Sequence, residues 1–217
     1  MENFTVAIVG GTGNLGGALA VRLGAPGVKI IIGSRDAEKA KKAVETLKPN
    51  LRAGEIVGTT NREAVKDATF VVIAVPYEGH AQMVSDLKGQ LAGKIVIDSV
   101  VPLNKVKPFV PAAGSALQEA QQLLGDEAPV IGALHNISAL DLGDLDSPLG
   151  DVLVCGDNAE AKQKVIEIIE RIGATGYDAG PASNAYVIEG LTGVIIYLNR
   201  KYKSKHGTIK IAGIAKH

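Results

Sequence analysis

The chain has 217 residues, of which 46% are hydrophobic and 4% aromatic, and its 23 Lys and Arg residues balance 23 Asp and Glu residues. Balanced charge argues against a nucleic-acid or membrane-surface partner, and scarce aromatic rings argue against stacking of single-stranded bases. A single cysteine excludes an internal disulfide. The apolar runs are far shorter than the ~20 residues of a membrane span, and no signal-peptide pattern is present, so we expect a cytoplasmic protein.

Short β-branched segments alternate with helical patterns along the chain. Strands are predicted at 4–10, 28–34, 55–60, 69–76, 94–102 and 130–138, and helices at 36–48, 114–124, 159–172 and about 184–203. The pattern continues past residue 150 in "DVLVCGD" and "GYDAGPAS". Strands that are apolar along their whole length are typical of a parallel sheet covered on both faces. The alternation predicts a Rossmann-type α/β fold, doubly wound around a mostly parallel sheet, with a C-terminal helical extension.

A glycine-rich turn joins the first predicted strand to the first helix in "VAIVGGTGNLGGAL". Gly11, Gly13 and Gly16 have the spacing G-x-G-x-x-G, which permits a tight turn, lets a pyrophosphate approach the backbone and packs helix on strand. The free N–H groups of the helix N-terminus then bind phosphate. We interpret the segment as a dinucleotide-binding turn; the alternative is a tight turn without a ligand.

The second strand ends in "IIIGSRDAEKA", where a carboxylate would normally accept from the 2′-hydroxyl of NAD. Ser34 and Arg35 suit a 2′-phosphate instead, and Lys39 is one helical turn further. Asp36 is expected to cap the following helix. The segment therefore favours NADP over NAD, and the alternative is that Arg35 only forms a surface ion pair.

Several motifs occur together in one order: "GGTGNLG", "GSRDAEK", "VPYEGH", "ALHNISA", "VCGDN" and "DAGPASNAYVIEGLT". With them the sequence resembles the NADPH-dependent reductases of coenzyme F-420 over almost its whole length. These oxidoreductases move hydride between NADP and an 8-hydroxy-5-deazaflavin. The resemblance implies NADP as cofactor, coenzyme F-420 as co-substrate, and a division into an NADP-binding domain (1–182) and a C-terminal helix and basic tail (183–217) that completes the second-cofactor site.

The resemblance also implies which residues form the site. The pyrophosphate would lie on Thr12, Gly13, Asn14 and Leu15, and the 2′-phosphate on Ser34, Arg35 and Lys39. The adenosine and nicotinamide would be lined by Val75, Gly79 and Val101. The two rings would meet at the loop formed by His135, Asn136, Ile137, Ser138 and Ala139, with Gly207 nearby.

Hydride transfer between two bound cofactors needs mainly positioning and exclusion of water, so we expect no catalytic side chain and no metal. His135 either donates a hydrogen bond to a carbonyl of the deazaflavin or is a core histidine satisfied by the backbone. The apolar final helix is either buried internally or pairs with another subunit, and we expect a homodimer that binds small-molecule cofactors.

Other side chains are weaker candidates. Tyr197 and Lys201, with Ser183 upstream, match the spacing of short-chain dehydrogenases, but too few residues follow for that fold. Asp141, Asp144 and Asp146 are expected to form a solvated loop rather than a calcium site. Cys155 is expected to be a buried apolar filler.

A basic cluster formed by Arg200, Lys201, Lys203 and Lys205 follows the final helix. It either complements the helix dipole or attracts the anionic tail of the deazaflavin. Two further functions remain open: an NADPH reductase of another acceptor, such as a flavin or ferric chelate, and an NADP-sensing regulator.

Overall fold

The computed structural model describes residues 3–214. The first part of the chain contains β1 (Phe4–Val9), α1 (Asn14–Leu23), β2 (Val28–Ser34), α2 (Ala37–Leu47), β3 (Glu55–Thr60), α3 (Asn61–Ala64), β4 (Phe70–Ile73), α4 (His80–Leu91) and β5 (Ile95–Asp98). The second part contains β6 (Leu103–Asn104), β7 (Lys107–Pro108), α5 (Ala116–Leu124), β8 (Val130–Gly132), α6 (Ala139–Gly143), β9 (Asp151–Val154), α7 (Ala159–Arg171), β10 (Thr175–Asp178) and α8 (Ala185–Lys201).

The main sheet has six strands in the order β3-β2-β1-β4-β5-β8, and every neighbouring pair is parallel. The chain runs outward from β1 to β3, then returns to β4 on the other side of β1. The strand order therefore reverses between β1 and β4, which opens a crevice at the carboxyl ends of these strands. The predicted doubly wound fold is confirmed.

Two apolar layers cover the faces of the sheet. One layer contains buried side chains of α1, α2 and α7 packed on Val6, Ile8 and Ile30. The other contains α3, α4 and α5 packed on Val71 and Val96. Since each fully buried aliphatic side chain stabilises the fold by about 1.5–3 kcal/mol, both layers hold the strand ends in fixed relative positions.

Helix boundaries agree closely with the sequence predictions. The helix predicted at 36–48 is α2, and the side chain of Asp36 caps it by accepting from the N–H groups of Glu38 (2.9 Å) and Lys39 (3.3 Å). The final helix begins one residue after the predicted Asn184 and ends at Lys201. The 12-residue α4 was not anticipated, although His80, Val84, Leu87 and Leu91 form one buried stripe along it.

Three strand predictions were too long. The strands predicted at 69–76, 94–102 and 130–138 end at Ile73, Asp98 and Gly132. The apolar residues beyond these points line loops at the carboxyl edge instead of pairing with a neighbour. Pro76 and Pro102 lack the N–H that a continued strand would need.

The chain beyond residue 150 forms a second, smaller layer. Strands β9 and β10 pair in parallel with each other, and one antiparallel bridge between Gly132 and Cys155 joins them to the main sheet. Helix α8 then packs on α5 and β7. Within residues 3–214, no helix combines the length and apolar character that crossing a bilayer requires. The domain boundary at 182 stays a prediction.

A close approach of α2 to β3 brings Lys39 to the edge of the sheet. Gly58 of β3 lies under α2, and a Cβ there would meet the carbonyl carbon and oxygen of Ala40 at 2.5 Å. We expect Gly58→Ala to destabilise the protein by about 1–3 kcal/mol in urea unfolding, because the helix must move. Gly89→Ala is the matched control, because Gly89 lies within α4 with no atom near a new Cβ. It should stabilise by about 0.5–1 kcal/mol, and equal effects of the two changes would contradict the argument.

Candidate functional site

The glycine turn connects β1 to α1 at the crevice. Gly10 has φ +74°, and its N–H donates to the side-chain oxygen of Asn61 (3.2 Å). Gly13 precedes α1 and has no side-chain cap, so the first N–H groups of the helix remain available. A Cβ at Gly16 would meet the Cα of Gly11 at 2.6 Å, so this glycine lets the helix pack on the turn. A Cβ at Gly13 would meet only the Gly10 carbonyl, at 3.4 Å, which leaves the space in front of Gly13 open.

A cavity of about 540 Å³ lies against this turn. Seven of the sequence-predicted site residues line it: Thr12, Gly13, Ser34, Arg35, Lys39, Val75 and Gly79. Asn14 and Leu15 are the first residues of α1, beside the cavity wall. The sequence analysis missed Asn61, Gln82, Met83 and Asp86, which also line it. Asn61 follows a strand directly, which was an available signal, whereas the other three lie on the unanticipated α4.

One end of the cavity is cationic. Arg35 and Lys39 are exposed there, while Ser34 is buried and accepts a hydrogen bond from the N–H of Asp36 (3.2 Å). Neither cation makes an ion pair with a carboxylate among residues 3–214. This arrangement leaves two positive side chains beside a hydroxyl, which suits an anion such as a phosphate.

The loop His135–Ala139 lies beyond β8 and is held from three sides. Asn136 donates to the carbonyl of Asp151 (2.6 Å) on β9, and Thr192 of α8 donates to the carbonyl of His135 (2.7 Å). The hydroxyl of Ser138 donates to the carbonyl of Lys205 (3.4 Å). The loop is therefore rigidly placed, although it lies outside the 540 Å³ cavity.

The His135 ring is 4% exposed, and neither ring nitrogen has a hydrogen-bond partner among the described residues. Burial lowers the pKa of His135 to about 4, so the ring is neutral near pH 7. His135 is therefore buried as a core histidine would be, but no backbone group among the described residues hydrogen-bonds its ring. A buried polar group without a partner costs free energy, and a ligand that supplied a partner would recover it.

The segment after α8 returns to this loop. Gly207 is half-buried, and its N–H donates to the side chain of Asn199 (2.9 Å). His206 pairs with Asp141 of α6. Further along, the N–H of Asp151 donates to the carbonyl of Ile209 (2.9 Å), and the Asp151 carboxylate accepts from the N–H of Ile211 (2.6 Å). Gly207 thus lies near the 135–139 loop. Val101, another predicted site residue, lies in the loop after β5.

The weaker candidates have structural explanations. Tyr197 is 61% exposed and does not line the cavity, and the Lys201 ammonium lies 5.9 Å from its ring centre. Asp144 accepts from the N–H of Asp146 (3.1 Å) and the hydroxyl of Ser147 (3.0 Å), so it stabilises its own turn. Cys155 is fully buried, as predicted for an apolar filler, and burial raises the pKa of its thiol to about 12. The basic cluster is exposed, and both of its interpretations stay open.

Fold and site together define a dinucleotide-binding protein of the Rossmann class with two exposed cations, Arg35 and Lys39, just after β2. Residues 5–102 match the family model described as NADP oxidoreductase coenzyme F420-dependent. The chain is 41% identical to the F420-dependent NADP reductase of Methanocaldococcus jannaschii, over 96% of this chain and 98% of that protein. The chain therefore belongs to the F420-dependent NADP reductase family.

Two other similarities are more distant. A crystal structure of a protein from Arthrobacter sp. FB24, provisionally described as an F420-dependent NADP reductase, has a TM-score of 0.82 at 24% identity, covering 97% of this chain and 100% of that one. That likeness shows the fold alone. Metalloreductase STEAP3 of Rattus norvegicus is 32% identical over 83% of this chain, which corresponds to 35% of that longer protein.

Proposed function

We propose that this protein transfers a hydride between NADP(H) and coenzyme F-420. The observation that carries the proposal is the open cationic end of the nucleotide cavity, formed by Ser34, Arg35 and Lys39, in a chain that aligns end to end with named F420-dependent NADP reductases. When bound, the two cofactors supply the carbon atoms between which the hydride moves. The chain's own contribution is to bind, orient and exclude water.

The nucleotide would lie across the glycine turn. Thr12, Gly13, Asn14 and Leu15 would hold the pyrophosphate through the free N–H groups of α1 and its positive dipole end. Ser34, Arg35 and Lys39 would hold the 2′-phosphate. Val75 and Gly79, which line the same cavity after β4, would contact the remainder of the nucleotide.

The deazaflavin would contact the loop His135, Asn136, Ile137, Ser138 and Ala139, together with Gly207, and Val101 would line the nicotinamide side. The residues fit such a role because His135 is neutral and has no intramolecular partner for its ring among the described residues. Both ring nitrogens are buried, so the ring would have to become accessible when the acceptor binds in order to donate a hydrogen bond to its carbonyl. The three anchors on Asn136, His135 and Ser138 then keep the loop from moving when a second ring system stacks against it.

A homodimer is supported by an apolar surface on α8 and the neighbouring β7. Val194, Tyr197, Phe109 and Val110 are between 43% and 65% exposed, and a groove of about 410 Å³ lies between the two elements. Exposed apolar patches of this kind mark interaction sites, and a second copy of the chain offers the same apolar surface. A cytoplasmic location stays a prediction, supported by the single unpaired cysteine.

The first prediction concerns nucleotide choice. Arg35→Ala should weaken NADP binding about ten- to a hundredfold, because a charge-assisted hydrogen bond contributes roughly 1.5–3 kcal/mol. NAD affinity should hardly change, since NAD lacks the 2′-phosphate. Calorimetric titration of both nucleotides measures the difference. Arg52→Ala, an exposed arginine outside the cavity, is the control. Equal losses for NADP and NAD would show that Arg35 supports the fold rather than binding phosphate.

The second prediction concerns the acceptor. Stopped-flow absorbance with NADPH should show rapid bleaching of coenzyme F-420 and slow or no reduction of riboflavin and of a ferric chelate. His135→Ala should raise the KM for coenzyme F-420 and lower turnover by about a factor of two to ten, the value of one neutral hydrogen bond. NADPH affinity should be unchanged. If the protein reduces the ferric chelate faster than coenzyme F-420, that result would instead favour a metal-reducing activity, as in the name of the relative metalloreductase STEAP3. NADPH binding without reduction of any acceptor would favour the regulator.

The third prediction concerns assembly. Val194→Lys should convert the protein to a monomer in light scattering coupled to gel filtration, because it places a charge within the apolar surface. Val57→Lys, at an exposed valine on the edge strand β3, is the matched control and should remain dimeric. A wild-type protein that is monomeric across the accessible concentration range would contradict the homodimer.

A further inference from the structure

A buried charged cluster lies behind the nucleotide cavity and is not explained by phosphate or ring binding. His80, the first residue of α4, is fully buried. Its Nε2 lies 2.7 Å from a carboxylate oxygen of Asp98 at the end of β5, and its Nδ1 lies 3.2 Å from a carboxylate oxygen of Glu119 on α5. Three separate elements therefore meet at one imidazole ring.

The partners determine the charge of the ring. Ionised carboxylates only accept hydrogen bonds, so both nitrogens of His80 must carry a proton for both contacts to be favourable. A neutral ring would place an unprotonated nitrogen against a carboxylate in a site shielded from water. Burial alone would lower the pKa of His80, but the hydrogen bonds and charges of Asp98 and Glu119 outweigh burial and raise the pKa to about 9.

The cluster connects the cavity wall to the loop after β5. Gly79, immediately before His80, lines the cavity together with Val75 and Pro76. The second carboxylate oxygen of Asp98 accepts from the N–H of Val100 (2.9 Å), next to Val101, and the carbonyl of Asp98 accepts from the N–H of Ala133 (3.1 Å), two residues before His135. A shift of the His80 ring would therefore displace both the 75–79 turn and the loop after β5, which contains Val101. Both segments are proposed to line the nucleotide.

We propose that His80 is a positioning residue for NADP(H), a buried imidazolium that ties the 75–79 turn to β5 and α5. This role rests on the proposed function, because the turn must line the nucleotide site. Below its pKa the cation holds both carboxylates. When pH rises through that pKa, one hydrogen bond is lost and the turn loosens, so the effect acts on NADP affinity rather than on the hydride step.

Other titratable groups around His80 restrict the design of a test. Tyr77 stacks on the His80 ring and donates to Glu119 (3.4 Å). Glu189 of α8 is also buried and accepts from the N–H groups of Ala116 and Leu117, and burial raises its pKa to about 7. The Glu189 titration falls within the useful pH range, so it must be present equally in the variant and in the control. His135 titrates near pH 4, outside that range.

The test removes the Glu119 hydrogen bond with Glu119→Leu, which the partial exposure of the Glu119 side chain (26%) makes tolerable. The NADPH dissociation constant, measured by nucleotide fluorescence, should rise about three- to tenfold in this variant, because one hydrogen bond to the His80 ring is lost. Glu119→Gln should restore most of the affinity, because its amide can accept a hydrogen bond from the protonated ring or donate one to the neutral ring. Glu160→Gln, which changes an exposed carboxylate paired with Lys164, should bind NADPH as wild type does.

Imidazole nitrogen NMR on the unmodified protein gives a second measurement that needs no variant. His80 should carry two N–H protons at pH 7.5, and weakening of NADPH binding should accompany its deprotonation near pH 9. A neutral His80 at pH 7.5, or a Glu119→Leu protein with wild-type NADPH affinity, would overturn the positioning role. A wild-type protein that fails to bind NADPH at every pH would overturn the proposed function itself.

Discussion

The hydrogen bond between the Gly10 N–H and the Asn61 side chain fixes the geometry on which the nucleotide site depends. Gly10 leaves β1 with positive φ, so its N–H turns away from the sheet and needs an acceptor. Asn61 supplies the acceptor from the end of β3, two strands away. The side chain crosses above β2 at Gly33, where a Cβ would meet the Asn61 oxygen at 2.7 Å. Without the bond, the partly buried Gly10 N–H would lose its acceptor, and the turn proposed to present α1 to a phosphate would relax.

The sequence predicted features that are local or periodic. The glycine turn, the Asp36 cap and the alternation of strands with helices follow from local spacing, and the structure contains them. It did not predict groups that become neighbours only after folding. Asn61 and Gly10 are 51 positions apart, and His80, Asp98 and Glu119 lie on three elements. Strand ends were misplaced at Val75 and Val101 because apolar residues at the carboxyl edge line a cavity or loop rather than continue a strand.

An arginine links the two halves of the proposed site. The Arg22 guanidinium, in the last turn of α1, donates to the carbonyl oxygens of Asp141, Leu142, Asp144, Leu145 and Ser147 at 2.8–3.1 Å. These residues follow directly after the 135–139 loop. The helix whose N-terminus is proposed to bind the pyrophosphate is thus joined at its other end to the segment that follows the proposed acceptor loop, residues 135–139. Hydride transfer requires the two rings to approach within ~3–3.5 Å, so a rigid link of this kind suits the proposed reaction.

The contacts of residues 205–211 with Ser138 and Asp151 have a consequence for how the protein is made. The nucleotide cavity uses residues between Gly10 and Asp86, so its walls emerge early from the ribosome. The 135–139 loop, which is proposed to hold the acceptor, is held on one side by the backbone of residues 205–211, which is translated later. During synthesis, the segments that line the nucleotide cavity therefore leave the ribosome before the segment that contacts Ser138 and Asp151.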